Sequence, residues 1–212
     1  MEIQWLGHSC FRLRSATSTL ITDPFSSTLG IALTGIQADV VTISHPHPHH
    51  SNLEGIEGDP YVIDAPGEYD VKGIYVRGIA TTLNEEAGEG GRNVIYRIEM
   101  EGVTLGHLGD LGQPLPSRQA EELSGVDVLF LPSGGGCTVT PTQAAQLVNL
   151  IEPRLVIPMH YQSPELTFSL SPIEEILREL SVQEVVPQAR ISVTPTNLPP
   201  ERRVVLMEKA SR

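Results

Sequence analysis

An α/β fold is predicted by three features of this 212-residue sequence. Short β-like segments joined by tight turns occupy the first half. From residue 126 onward, buried strands alternate with amphipathic helices. All seven histidines fall at or near the end of a predicted strand, where α/β sheets gather ligands and catalytic groups.

Residues 2–6, 10–15 and 19–23 read as three short strands, turned by Gly7-His8 and by Ala16-Thr17-Ser18. The third ends in Thr22-Asp23-Pro24-Phe25, because Pro24 has no N–H to give a ladder. Residues 26–38 are rich in Gly, Ser and Thr and read as a loop. Asp39-Val40-Val41-Thr42-Ile43 is apolar and β-branched, the signature of a buried strand. It runs into Ser44-His45-Pro46-His47-Pro48-His49-His50, which holds four of the seven histidines. Short β-like pieces follow at 61–63, 66–69 and 73–76, and residues 85–91 form an acidic, Gly-rich loop expected to be mobile. Residues 93–100 form a strand by alternation, with Val94, Tyr96 and Ile98 on one side. Glu101-Gly102 is a hairpin turn, and 103–107 returns into the loop Gly106-His107-Leu108-Gly109-Asp110-Leu111-Gly112.

The second half opens with a buried strand over 126–131. Thr140-Pro141-Thr142-Gln143 is a capping box with proline at the first helical position, and its helix carries Ala144, Leu147, Val148 and Ile151 on one face. The strand 154–159 ends in His160. Ser171-Pro172-Ile173-Glu174 reads as a second capping box, starting a helix with a stripe of Ile173, Ile176, Leu177 and Leu180. Strands near 190–194 and 203–207, separated by Pro199-Pro200, finish the chain.

Hydrophobic residues make up 40% of the chain, enough for one sizeable core. With no linker and no repeat in view, residues 1–212 read as one domain. A net charge of −12 argues against nucleic-acid backbone or an anionic membrane as partner, and leaves a small-molecule substrate. Cys10 and Cys137 make no disulfide framework and no Cys-x-x-Cys pair. There is no apolar run of about 18 residues and no basic-then-apolar leader at Met1–Trp5, so a cytoplasmic location is expected.

His45, His47, His49 and His50 follow one predicted strand, His107 and Asp110 another, and His160 a third; His8 sits in the first turn. That distribution suits a metal held by loops from several strands, since imidazole and carboxylate are the usual ligands of zinc, iron or manganese. Taken singly, His8 and His107 read as hydrogen-bonded packing residues, Asp110 as a turn residue, and the histidine run as an exposed loop. The ordered combination is what points to a site.

The chain resembles the metallo-β-lactamase-fold hydrolases, in particular the branch of small proteins similar to ascorbate-phosphate lactonases and other zinc-dependent hydrolases. The resemblance rests on Gly7-His8-Ser9-Cys10-Phe11, Thr22-Asp23-Pro24-Phe25, the histidine run, Pro66-Gly67-Glu68-Tyr69, the Gly106–Gly112 loop and Ile157-Pro158-Met159-His160-Tyr161. It implies a four-layer αβ/βα sandwich with metal at its top. Its motif, His-x-His-x-Asp-His, would make His45 and His47 ligands of a first metal, His50 and His160 ligands of a second, and Asp110 the bridge. Asp23 would orient the histidine loop by hydrogen bonds.

Two residues depart from that pattern. His49 stands where the family has a carboxylate that binds the second metal and can accept a proton. Leu83, in Ala80-Thr81-Thr82-Leu83-Asn84-Glu85, stands where the family has a third histidine for the first metal. The expected set is therefore His49, His50, Asp110 and His160 around one Zn2+ rather than two, with Mn2+ or Fe2+ as other candidates. The function expected is hydrolysis of an ester, lactone or phosphodiester-type small molecule by metal-activated water, with Asp110 and His49 as catalytic groups; Glu68 and His8 are further candidates to line the pocket. The alternative is a degenerate member that kept the fold and serves as a binding or regulatory module. Self-association is a further expectation from the resemblance.

Overall fold

The computed structural model describes residues 1–84 and 91–210, so the predicted acidic loop lies outside the described residues but for Gly91. The strands in chain order are β1 (Glu2–Gly7), β2 (Cys10–Arg14), β3 (Thr19–Thr22), β4 (Ile36–Gln37), β5 (Val40–Thr42), β6 (Ile56–Glu57), β7 (Tyr61–Ile63) and β8 (Gly67–Val71). They continue with β9 (Ile74–Thr82), β10 (Arg92–Met100), β11 (Val103–His107), β12 (Val128–Pro132), β13 (Leu155–Met159), β14 (Ile191–Ser192) and β15 (Arg203–Val204). The α-helices are α1 (Ser117–Glu121), α2 (Pro141–Ile151) and α3 (Ile173–Glu179).

Two mixed sheets face each other. One runs β14-β1-β2-β3-β5-β7 and the other β15-β13-β12-β11-β10-β9-β8. The alternating side chains predicted for residues 93–100 supply the reason: Val94, Tyr96 and Ile98 point between the sheets, where they meet Ile3, Phe11, Leu13, Leu20 and Val40. Ile95 points the other way, into a second core built with Leu129, Leu131, Ala144, Leu147, Val148, Ile151 and Ile176, so all three helices cover that outer face. The outer face of the first sheet is covered by a 3-10 turn (Ser27–Leu29) and adjoining loops, through Phe25, Leu29, Ile31 and Leu33.

Strand directions explain why the predicted site residues converge. β1 and β2 are antiparallel, as are β2 and β3, and β3 runs parallel to β5. β11, β12 and β13 are mutually parallel. His8, Asp23 and the histidine run thus leave the carboxyl ends of β1, β3 and β5, while Asp110 and His160 leave those of β11 and β13. Tyr96 ties the layers together below the site: its buried hydroxyl lies 2.6 Å from Ile43 O and 2.9 Å from Ile63 O.

The first capping box forms as predicted, with Thr140 and Gln143 bonding each other's backbone N–H. The second does not. Pro172 is the N-cap of α3 and no side chain caps it. Ser171 instead donates its N–H to Gly134 O at 2.7 Å, docking this segment on the glycine loop after β12. The two C-terminal strands are shorter than expected, with two paired residues each, because both pair along one side only, at sheet edges. The loop predicted over 26–38 contains the 3-10 turn and the short β4, which pairs with β6.

Candidate metal centre

Asp110 is the centre of the cluster. Its Oδ2 lies 3.1 Å from His50 Nε2 and 3.8 Å from His45 Nε2, and its Oδ1 lies 3.2 Å from His160 Nε2. All four side chains are buried. The loop carrying Asp110 is fixed by Asn93, a buried residue of β10 whose Oδ1 accepts Asp110 N–H at 3.0 Å and whose Nδ2 donates to Leu108 O at 3.1 Å. Gly109 has φ +56, and a Cβ there would stand 2.4 Å from Ser44 Cβ. Only glycine lets the Asp110 loop pass so close to the start of the histidine run.

Within the run, the carbonyl of His47 accepts the N–H groups of His50 and Ser51 at 2.8 and 2.9 Å, which winds residues 47–51 into a turn. That turn sends His50 inward between two carboxylates, Asp110 on Nε2 and Asp23 on Nδ1 at 2.9 Å. Asp23 also accepts Ser44 N–H at 2.7 Å and Ser44 O–H at 2.6 Å. Ser44 Oγ in turn sits 3.1 Å from His45 Nδ1. Because the serine hydroxyl donates to Asp23, it accepts from His45 Nδ1–H, leaving the His45 Nε2 lone pair facing Asp110. Asp23 thereby performs the orienting task the resemblance implied, on His50 directly and on His45 through Ser44.

The ligand atoms that converge come in three overlapping groups, each within 4.8 Å: His45, His50 and Asp110; Asp110, Cys137 and His160; and His8, His50 and His160. His47 and His49, the other two members of the run, line the adjoining cavity and are not in these groups. His49 N–H donates to His47 Nδ1 at 3.2 Å, and the His49 ring stacks on Phe168 with centroids 5.5 Å apart. Glu68 is exposed on β8 with Arg77 at 3.8 Å, and is not among the residues lining the cavity. His107 is the packing residue it was expected to be: its Nε2 lies 2.8 Å from Ser9 O and its Nδ1 accepts Gly109 N–H. His8 is not. It is buried, and neither ring nitrogen has a hydrogen-bond partner.

Cys137 was not singled out from the sequence as a site residue. Its Sγ is 3.8 Å from His160 Nε2 and 4.0 Å from Asp110 Oδ2. The signal that could have found it is Gly134-Gly135-Gly136 immediately after β12. A Cβ at Gly134 would stand 2.2 Å from His160 O, so this loop reaches the cluster only as glycine.

Electrostatics divides the histidines into two kinds. Burial pulls His50 down, but the charges and hydrogen bonds of Asp110 and Asp23 more than offset it and leave its pKa at about 9. His160 is likewise depressed by burial and raised overall, well above the ordinary value, by Asp110. Burial favours a neutral Asp110, yet His160 and His50 hold it well below the usual carboxylate range. His45 and His49 go the other way, to about 4, through burial first and then the neighbouring imidazoles. His8 is lowered by burial, His160 and His50.

The donor set fits a transition metal: three inward imidazoles around one ionised carboxylate, with Asp110 Oδ1, His160 Nδ1 and both His8 nitrogens buried and without hydrogen-bond partners. The adjoining cavity, about 430 Å³, is lined by His8, His47, His49, Cys137, Phe168 and Leu170 among others, a size that suits a small molecule. A larger cavity of about 610 Å³ lies between Arg12, Lys209 and the loop 30–34, where no such ligand atoms converge.

The comparisons with known proteins point to a family of metal-dependent hydrolases. The sequence profile of the beta-lactamase superfamily domain matches residues 2–160. The crystal structure of a Thermotoga maritima protein, named as a Zn-dependent hydrolase of the metallo-beta-lactamase superfamily, is 37% identical and superimposes with a TM-score of 0.81 over 97% of each chain. A metal-dependent hydrolase from Nitratidesulfovibrio vulgaris is 30% identical over 190 residues, 76% of this chain and 80% of the relative. Another from Methanopyrus kandleri is 29% identical over 193 residues, 76% of this chain and 84% of the relative.

Proposed function

The chain belongs to the metallo-beta-lactamase superfamily, among its metal-dependent hydrolases, and from that premise we propose that it hydrolyses a small ester, lactone or phosphodiester-type substrate using one bound metal ion. The observation that carries this reading is the placement of both Asp110 oxygens against three imidazoles, His45, His50 and His160, at 3.1–3.8 Å. His50, Asp110 and His160 would hold the ion, zinc being the first candidate and manganese or iron the others. Bound there, such an ion supplies water that ionises near neutral pH and positive charge for a developing oxyanion.

The chain's own residues do the rest. Asp23 and Ser44 fix the rings of His50 and His45, so the Nε2 atoms of both face inward before any ligand arrives. Burial keeps bulk water away from Asp110. Phe168 and Leu170 give the cavity an apolar wall. His49 is half-buried on that wall and neutral at pH 7, which suits it to pass a proton between substrate and solvent, with Asp110 as the alternative acceptor.

One ion rather than two is favoured by the end of β9. Gly112 N–H donates to Thr82 O at 3.1 Å, so the segment carrying Leu83 runs beside the Asp110 loop, and by the resemblance Leu83 takes the position of the family's further imidazole. The test is metal analysis of protein purified without an affinity tag, with turnover of p-nitrophenyl esters, lactones and bis(p-nitrophenyl) phosphate measured with and without chelator. One equivalent of metal and chelator-sensitive turnover support the reading. Metal-free protein without turnover would instead favour the binding or regulatory module.

A further inference from the structure

We infer that His8, from the first turn of the chain, is a direct ligand of the bound metal and completes a set with His50, His160 and Asp110. The inference rests on the metal-dependent reading above and adds the donor that the histidine run does not deliver. His49, a member of that run, lies flat against Phe168 with an interplanar angle of 10° and is outside the groups of converging ligand atoms. His8 is inside one of them, with His50 and His160.

The backbone is arranged to put it there. His8 adopts φ 53, a left-handed conformation that is strained for a residue with a Cβ. The cost is met by two donors on its carbonyl: Trp5 Nε1 at 2.9 Å and His160 N at 3.3 Å. The second of these is a direct tie between the turn and a predicted ligand. The His8 ring then lies with its centroid 4.0 Å from that of His160 and 5.0 Å from that of His50.

The ring's surroundings make no sense for a packing residue. A buried polar atom without a partner is costly, and native structures rarely tolerate it. His107 shows how this fold treats a structural histidine, with both nitrogens matched to backbone groups. His8 is as enclosed as its neighbours, and both of its nitrogens are orphans among the described residues. Three imidazoles packed together also repel one another when protonated, whereas a shared cation satisfies their lone pairs. Zinc bonds of about 2.0–2.1 Å place tetrahedral ligand atoms roughly 3.3 Å apart. The ligand atoms of His8, His50 and His160, already within 4.8 Å of one another, need only small movements to reach that, and Asp110 joins them through its contacts of 3.1 Å with His50 and 3.2 Å with His160. Three imidazoles and one carboxylate are a full complement for a tetrahedral ion, or leave room for substrate in a five-coordinate one.

The decisive measurement is zinc affinity of the full chain, by competition with a chromogenic chelator, for the wild type and His8→Asn. Asparagine tolerates the left-handed backbone but cannot reach as an imidazole does. The expected result is one zinc per wild-type chain and an affinity loss of about 100-fold or more in the variant, with unchanged far-ultraviolet circular dichroism. Wild-type affinity in His8→Asn would overturn the inference and leave the metal-dependent reading standing. A wild type that binds neither zinc, manganese nor iron would overturn both. A second measurement needs no variant: long-range 1H–15N spectra of the wild type with and without zinc. A His8 ring nitrogen that shifts as a metal-bound one supports the assignment, and one that does not move refutes it.

Discussion

Asp23 Oδ2 and His50 Nδ1 share a hydrogen bond of 2.9 Å with both side chains buried. The same oxygen accepts the Ser44 hydroxyl, which passes the orientation on to His45. Replacing that oxygen by an NH2 group reverses the chain of donors. In Asp23→Asn the amide donates to His50 Nδ1 and to Ser44 Oγ, so both imidazoles are driven to carry their proton on Nε2, the atom facing Asp110. A protonated Nε2 cannot ligate. Zinc affinity is expected to fall about 10–100-fold while the fold persists, which a competition titration alongside circular dichroism would show. Unchanged affinity would mean that Asp23 serves only to hold the loop.

Much of this was legible in the chain itself. β-branched runs and alternation gave β1 to β3, β5 and β10, and the Thr140–Gln143 box gave the start of α2, because those signals are local. Asp23, His50, Asp110 and His160 were legible because each lies in the segment leaving the carboxyl end of its strand, Asp23 and His160 directly after it. What escaped depends on contacts distant in sequence. His8 looks like a turn residue until His160 N is seen on its carbonyl. Cys137 needs the glycine loop to pass His160, and Asn93 is a polar residue at the start of a strand until its amide is found clamping Leu108 and Asp110. Ser171 carries the signature of a helix cap, but its N–H is engaged with Gly134 O, so the helix begins without it. The helix α1 has five residues, too few to display a period.

Among the described residues, Asp110 is the only carboxylate in the groups of converging ligand atoms. Asp110→Asn keeps the shape and the backbone bond to Asn93 but removes the negative charge that three imidazoles face. Turnover of whichever p-nitrophenyl substrate the wild type accepts should drop about 10³-fold or more in kcat/KM, with metal content reduced in parallel. Activity within a factor of ten of wild type would move the metal away from Asp110.

Gly109 tests how closely stability and site are joined. A methyl group there meets Ser44 Cβ at 2.4 Å and Asn93 Oδ1 at 2.5 Å, and the backbone is left-handed at φ +56. Neither neighbour can yield freely, since Ser44 is tied to Asp23 and Asn93 to Leu108. Gly109→Ala should lose about 2–4 kcal/mol in urea unfolding and also lower zinc affinity, because relief of the clash displaces Asp110. A variant that keeps wild-type stability would show that the loop can shift without cost.

The metal-free chain should show a stability maximum in pH. His50 is raised from 6.5 to about 9, so its contribution is complete below 6.5 and lost as pH climbs toward 9. His160, raised in the same direction, adds to that loss. His45 is lowered to about 4, so its contribution is complete above 6.5 and lost as pH falls toward 4. The pairing of Asp110 with His50 counts once, although it shifts both partners. Urea midpoints in chelator should therefore peak near the ordinary histidine value of 6.5 and decline on both sides, with His50 alone contributing about 3 kcal/mol on the alkaline side. Metal binding displaces the protons on His50 and His160, so saturating zinc should abolish the alkaline decline and leave the acid one. An alkaline limb indifferent to zinc would mean that the ion does not bind at His50 and His160.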